Sequence, residues 1–282
     1  MSTPDGLPPL RDVIRALELT ARRSLGQNFL LDFNLTRRIA RAAGALDDAT
    51  IVEVGPGPGG LTRALLFEGA RRVVAIEKDE RFLPALHAIA AQYPGRLQII
   101  SADAKHVDYA GMDLGKPARI VANLPYSVAT PLLVGWLKTE PWPPWFDRLV
   151  LMFQREVADR IVAAPRTKDY GRLAVLSGWR TERRILLTLP AQAFTPKPKV
   201  DSALVELVPK PVPTPACDIT LLERVTAATF GQRRKMLRAS LRQITPDAEN
   251  LLLKLGINPQ ARAEELDVAD FCHIANALSG GG

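Results

Sequence analysis

Apolar residues along this 282-residue chain follow two periods in turn. Short apolar runs at 50–54, 72–76, 97–100, 120–122 and 149–153 have strand length and β-branched content. Between them lie segments whose apolar positions recur every three to four residues, at 59–68, 80–92, 131–138 and 156–163, which predicts helices. An earlier helix is expected at 35–43, with Asn34 as its cap. Strands alternating with helices in this way imply a mostly parallel sheet between two helical layers, an α/β fold. After residue 163 the pattern changes. Residues 184–189 and 202–208 read as strands with no helix between them, so they are expected to form an antiparallel pair at the edge of a seven-stranded sheet. Prolines at 209, 211, 213 and 215 predict a semi-rigid extended linker. Beyond it the periods are helical, at 218–244, 246–256 and 263–278. The predicted organisation is an N-terminal basic arm (1–27), an α/β domain (28–208), the linker (209–217) and a small helical domain (218–279), with residues 280–282 disordered.

Composition narrows the partners. The chain is 47% hydrophobic and 24% charged, as expected of a globular protein with a sizeable core. Its net charge of +7 and pI of about 9.6 favour an anionic partner, nucleic acid first. Basic and acidic residues balance from residue 206 onward, so the excess lies earlier. The tail nevertheless holds a local basic knot, Arg233-Arg234-Lys235 with Arg238 and Arg242. Candidate phosphate contacts are Arg22, Arg23, Lys197, Lys199, Arg233, Arg234 and Lys235. The two cysteines, Cys217 and Cys272, and the three histidines have no metal-ligand spacing, so no metal is expected and a reducing compartment fits. No apolar run has the length of a membrane helix, and the first residues lack signal-peptide order. A cytoplasmic protein is expected.

The chemistry clusters at predicted strand ends. Gly55-Pro56-Gly57-Pro58-Gly59-Gly60 joins a strand to a helix, where glycines let the backbone approach a ligand and helix amides face it. Glu77 ends the next strand, where a carboxylate can take both hydroxyls of a ribose. Asp103 ends the third strand and can accept from an adenine amine. Asn123-Leu124-Pro125-Tyr126 follows the fourth and offers an amide, backbone carbonyls and an aromatic face to a purine. Ligands of open parallel sheets sit at the carboxyl ends of the strands, so these groups converge on one crevice. The glycine loop with Glu77 would also suit a nicotinamide dehydrogenase, which has no use for the tetrapeptide.

These motifs together resemble the S-adenosylmethionine-dependent ribosomal RNA adenine N6-dimethyltransferases, specifically the bacterial small-subunit (16S) type. The resemblance runs from Ser24-Leu25-Gly26-Gln27-Asn28-Phe29-Leu30 through the glycine loop, Ala75-Ile76-Glu77-Lys78-Asp79 and the tetrapeptide. It continues through Phe194-Thr195-Pro196-Lys197-Pro198-Lys199-Val200-Asp201-Ser202 to Phe230-Gly231-Gln232-Arg233-Arg234-Lys235 in the tail. It implies a Rossmann-like class I methyltransferase sheet and S-adenosylmethionine as methyl donor. Asn28, Leu30, Gly55, Glu77, Asp103 and Asn123 would contact that donor, with Gln27 as a further candidate. Asn123, Leu124, Pro125 and Tyr126 would form the catalytic motif. Asn123 Oδ1 and the Leu124 carbonyl would accept from the target N6–H, Tyr126 would stack on the base, and Phe194 would cover its other face. The substrate implied is a pair of adjacent adenosines in the 3′-terminal hairpin loop of small-subunit RNA. Each would be dimethylated by a monomeric enzyme acting on a pre-ribosomal particle, with no membrane involved. A large-subunit rRNA adenine methyltransferase and a noncatalytic assembly factor are the alternatives.

Overall fold

The computed structural model describes residues 3–21 and 26–279. The expectations for Arg22 and Arg23, and for residues 280–282, therefore lie outside the described residues. The chain forms two compact units. One comprises Met1–Trp136, Pro144–Ala158 and Arg184–Val208; the other comprises Leu137–Pro143, Asp159–Arg183 and Pro209–Gly282.

The first unit is built on α1 (Leu10–Ala16), β1 (Phe29–Leu30), α2 (Phe33–Ala42), β2 (Thr50–Val54), α3 (Gly60–Phe67), β3 (Arg72–Glu77), α4 (Leu83–Gln92), β4 (Leu97–Ser101), β5 (Ala118–Ala122), α5 (Tyr126–Leu137) and β6 (Arg148–Gln154). Strands β7 (Thr181–Leu189) and β9 (Ser202–Pro209) complete a seven-stranded sheet ordered β4-β3-β2-β5-β6-β9-β7. From β4 to β6 the neighbours are parallel, and β9 runs antiparallel to β6. Strands β2 and β5 are buried along their whole length, as central parallel strands must be. The chain steps outward from β2 to β4 and then returns to β5. This reversal opens a crevice beyond the carboxyl ends of β2 and β5. One face of the sheet is sealed by α2 and α3, whose Ile39, Leu61 and Leu65 pack with Ile51, Val73, Val121 and Val150.

Three local expectations are corrected. Asp32, not Asn34, caps α2: its carboxylate accepts from the amides of Asn34 and Leu35. Helix α5 starts five residues earlier than the apolar period indicated and keeps Pro131 inside it. A two-residue pairing also joins β1 to β8 (Phe194–Thr195), with Phe29 opposite Thr195 and Leu30 opposite Phe194. Two residues are too short for any periodicity to reveal.

The second unit contains α7 (Arg172–Arg180), α8 (Ile219–Gly231), α9 (Leu237–Ser240), α10 (Ala248–Lys254) and α11 (Val268–Ser279). Helix α6 (Arg155–Val162) lies between β6 and α7 in the chain. The core of the second unit includes an aromatic chain, Tyr170 to Phe230 at 5.9 Å and Phe230 to Phe271 at 5.5 Å between ring centroids. The long helix expected at 218–244 is broken after Gly231. The amides of Leu237 and Arg238 bond instead to the carbonyls of Ala261 and Pro259, and Arg233 is drawn to Glu264 at 2.7 Å. These tertiary bonds outweigh helical continuation. The proline-rich segment is not free either. Trp142 donates to the Lys210 carbonyl, and Trp179 to that of Pro215.

Candidate active site

The glycine loop leaves β2 with Gly55, Gly57 and Gly59 all in the left-handed region, at φ of 65°, 56° and 87°. Close approach adds a second constraint. A Cβ on Gly60 would lie 2.8 Å from the Leu30 carbonyl oxygen and 2.9 Å from Leu10 Cδ2. The first turn of α3 is therefore covered by the 26–30 segment and the start of α1. Around this loop lies a small cavity, whose walls include Asn28, Leu30, Glu53, Gly57, Asn123 and Tyr126. A second, wider cavity continues past Glu77, Lys78, Asp103, Leu124 and Val128. Both are bordered by Gln27, Gly55, Glu77, Leu124 and Pro125, so they are two halves of one cleft at the expected strand ends.

Glu77 stands at the junction. Its Oε2 accepts from the Gly57 amide at 2.9 Å and its Oε1 from the Asp79 amide at 2.8 Å. Each oxygen keeps a further lone pair for a ligand hydroxyl. Burial pushes the carboxyl above its ordinary range, and these two amides pull it partly back. Asp103 lies two residues beyond β4 rather than at its end. It is held by Lys78 Nζ at 2.8 Å and the Lys105 amide at 3.1 Å, and the lysine holds its carboxyl below the usual range. Asp79 is ion-paired with Arg81, which brings its carboxyl down to about 2, and it accepts from Gln27 Nε2 at 3.3 Å.

The tetrapeptide lies between β5 and the first turn of α5. Asn123 Nδ2 donates to the Asn28 backbone carbonyl at 3.2 Å. That bond spends the donor end of the amide on the 26–30 segment and leaves Oδ1 as the end that can accept. The Asn28 side chain in turn donates to the Gly26 carbonyl at 3.0 Å. Leu124 is buried, and the Tyr126 ring is half-buried with its hydroxyl 2.6 Å from Ser202 Oγ.

Phe194 departs from its expected place. It is buried in the core cluster with Leu30, Val121 and Leu204, and it is not among the residues that border the cleft. Its aromatic ring fills the core while its backbone holds Leu30 in register. Of the candidate phosphate contacts, Lys197, Lys199, Arg234 and Lys235 are exposed. Arg233 is ion-paired with Glu264 and donates to the Thr167 carbonyl.

One residue of the cleft was missed. Glu53 on β2 is 1% exposed, and its Oε2 has no hydrogen-bond partner among the described residues. Burial, reinforced by the nearby Glu77 charge, pushes its carboxyl up to about 8. The signal was present in the sequence: a lone carboxylate in the otherwise uncharged run Thr50-Ile51-Val52-Glu53-Val54. A buried acid with an unmatched oxygen facing a cavity suits a cationic ligand group, such as an amino acid's ammonium. Among the described residues no group of three or more His, Cys, Asp or Glu is placed to hold a metal.

The profile of the ribosomal RNA adenine dimethylase family matches residues 18–279. The chain belongs to that family. Within it, the ribosomal RNA small subunit methyltransferase A of Rhodopseudomonas palustris (strain BisB5) is 62% identical over 279 residues, covering 99% of this chain and 97% of that protein. Its counterpart in Azorhizobium caulinodans is 61% identical over 285 residues, covering 100% and 98%. Among solved structures, a dimethyladenosine transferase from Plasmodium falciparum aligns with a TM-score of 0.70 at 22% identity, over 86% of this chain and 94% of that one. The 23S rRNA methyltransferase ErmE aligns at 0.64 and 25% identity, over 89% and 100%. The dimethylase fold is thus the Rossmann-like class I methyltransferase sheet expected from the motifs.

Proposed function

We propose that this adenine dimethylase transfers methyl groups from S-adenosylmethionine to N6 of adenosine in small-subunit ribosomal RNA. The finer target is two adjacent adenosines in the 3′-terminal hairpin loop, each dimethylated in a pre-ribosomal particle by a monomeric cytoplasmic enzyme. The observation that carries the reading is the Asn123 amide, anchored through Nδ2 and presenting Oδ1 beside the glycine-loop cleft.

The residues present fit the donor. Glu77 offers two oxygens to ribose hydroxyls, Asp103 an acceptor to the adenine amine, and Glu53 an unmatched carboxylate to the methionine ammonium. Asn28 and Leu30 close over the loop, and the methyl donor supplies an electrophilic sulfonium methyl when bound. The exocyclic amine of adenine is a poor nucleophile because its lone pair is delocalised into the ring. Asn123 Oδ1 and the Leu124 carbonyl accept its two hydrogens and favour a pyramidal nitrogen, which localises the lone pair. The nitrogen becomes acidic once methylated, so no strong base is required before attack, and positioning with electrostatics carries the rate. Tyr126 supplies a stacking face, worth about 1–3 kcal/mol per base. Phe194 acts from the core, by holding the β1–β8 pairing, rather than on the base.

Incubation of unmethylated small subunits with the protein and labelled donor, followed by mass spectrometry of the RNA, tests the reading. The expected product is N6,N6-dimethyladenosine at two neighbouring positions near the 3′ end. Label on large-subunit RNA instead, the reading favoured by the ErmE likeness, or unlabelled RNA would overturn it.

A further inference from the structure

The chain ahead of β1 is folded more firmly than methyl transfer as described requires. Residues 3–7 form a tight turn: the Gly6 amide donates to the Thr3 carbonyl and the Thr3 amide to the Leu7 carbonyl, both at 2.9 Å. Arg63 of α3 fastens this turn. Its Nε and Nη2 each donate to one Asp5 carboxylate oxygen at 2.7 Å, and its Nη1 donates to the Pro8 carbonyl at 2.8 Å. Gln92, the last residue of α4, donates through Nε2 to the Asp5 carbonyl at 3.2 Å. The Asp5 and Arg63 side chains are 0% and 3% exposed, so solvent screens the pair little. Helix α1 therefore starts from a fixed point, and Leu10 is its first residue. The family profile begins at residue 18, so the turn and Leu10 both lie ahead of it.

Leu10 is buried and stands between two cavities, both of which it borders together with Leu30 and Gly60. On one side lies the glycine-loop half of the cleft, with Glu53, Gly57 and Asn123. On the other lies an outer cavity that reaches the exposed Arg11 and Asp12. Leu30 and Gly60 approach through backbone, the Leu30 carbonyl oxygen lying 2.8 Å from where a Gly60 Cβ would stand. Leu10 Cδ2 lies 2.9 Å from the same point and completes the partition with a side chain. Asp103, the acceptor for the adenine amine, borders the other half of the cleft, which Leu10 does not touch. Leu10 thus sits at the Glu53 end, which suits the amino-acid part of the methyl donor. That part carries two methylene groups between its sulfur and its α-carbon. An isobutyl wall meets methylenes favourably, and keeping water from Glu53 strengthens its attraction for an ammonium.

We propose that Leu10 is a further donor-binding residue: positioned by the Asp5–Arg63 anchor, it closes the amino-acid end of the S-adenosylmethionine site against the outer cavity. The inference rests on the donor reading given above and assigns the N-terminal turn a task in binding as well as in folding. Its signature is selectivity among ligands. S-adenosylmethionine and S-adenosylhomocysteine carry the amino-acid end and depend on Leu10. 5′-Methylthioadenosine keeps the adenine, the ribose and the sulfur but ends in a methyl group, so it does not reach the wall.

Calorimetry on the full-length chain with these three ligands, in the absence of RNA, tests the assignment. Leu10→Ala is expected to raise Kd for S-adenosylmethionine and S-adenosylhomocysteine by roughly 10- to 50-fold, as loss of a buried apolar contact does. The Kd of 5′-methylthioadenosine should stay within about twofold of that of the unsubstituted chain, on the same ground. Leu10→Met, which restores the apolar volume, should recover most of the affinity. Leu10→Val, a milder truncation, should fall between and keeps the series readable where the alanine variant folds poorly. Melting temperatures of the ligand-free variants separate a folding defect from a binding one. Unchanged affinity for S-adenosylmethionine in folded Leu10→Ala would overturn the proposal. So would equal weakening of all three ligands, which marks a general loosening of the glycine loop, or a Leu10→Met variant no better than alanine. Failure of the unsubstituted chain to bind S-adenosylmethionine would instead strike the donor reading itself, and this inference with it.

Discussion

At the scale of single residues, the site depends on where buried polar atoms find partners. Asn123 is anchored by one bond, Nδ2 to the Asn28 carbonyl, which leaves Oδ1 as the end of the amide that can accept. Asn123→Ala is expected to lower kcat by roughly 10²–10³-fold, as loss of one transition-state hydrogen bond does, with a smaller effect on donor affinity. Single-turnover methylation alongside calorimetric donor binding separates the two effects. Glu53 leads to a pH prediction. Its folded carboxyl titrates near 8, above the ordinary value of 4.5. Between those values the folded state binds the extra proton, so this group makes stability fall as pH rises, an effect complete above about 8. Glu53→Gln should therefore raise the melting temperature of the ligand-free chain at pH 8 and leave it nearly unchanged at pH 4.5. The same variant should weaken donor binding, if the carboxylate meets the ammonium. That Glu77, Asp103 and the tetrapeptide border the cleft was legible from their places at or just beyond strand ends. Glu53 was overlooked because a strand-interior acid reads as an anomaly rather than as a ligand. Phe194 was misplaced because the same aromatic residue serves a core or a base stack, and only packing chooses between them.

Among the elements, the cleft is held by short segments that carry no periodic signal. The 26–30 segment contributes the Asn28 carbonyl and Leu30, and β8 keeps it in register. Before it, Asp5 forms a two-pronged ion pair with Arg63 of α3, both side chains almost fully buried, and Arg63 also takes the Pro8 carbonyl. This pins the start of α1, whose Leu10 borders the cleft. Asp5→Ala leaves the Arg63 guanidinium buried without its counter-charge and should cost about 3–5 kcal/mol in urea unfolding. The paired replacement Asp5→Leu with Arg63→Met should recover most of that loss, because two matched apolar groups leave no orphan charge. Long strands and helices were readable because burial of one face imposes a period over many residues. The break after Gly231 was not, since the bonds that end α8 run to residues 259–264, which local sequence cannot weigh.

For the molecule as a whole, the excess of basic charge is what an RNA partner would meet. Arg234 and Lys235 are exposed, whereas Arg233 is already paired with Glu264. Replacing Arg234 and Lys235 by Gln should weaken RNA binding and flatten the dependence of log K on log salt by about one to two units, with donor affinity unchanged. Filter binding across a salt series measures this. Arg233→Gln should act differently, lowering stability through the lost Glu264 pair more than it changes the salt slope. By itself, the sequence determined the α/β class, the sheet with its antiparallel addition, and the glycine loop and tetrapeptide that border the cleft. Each of these is written in local residue types or in a repeating period, and both survive in one dimension. Tertiary structure alone decided which end of Asn123 is free, that Glu53 Oε2 finds no partner among the described residues, and that Phe194 belongs to the core. Those outcomes depend on contacts between residues as many as 95 positions apart, and on the desolvation that comes with them. Neither is a property of any short stretch of chain.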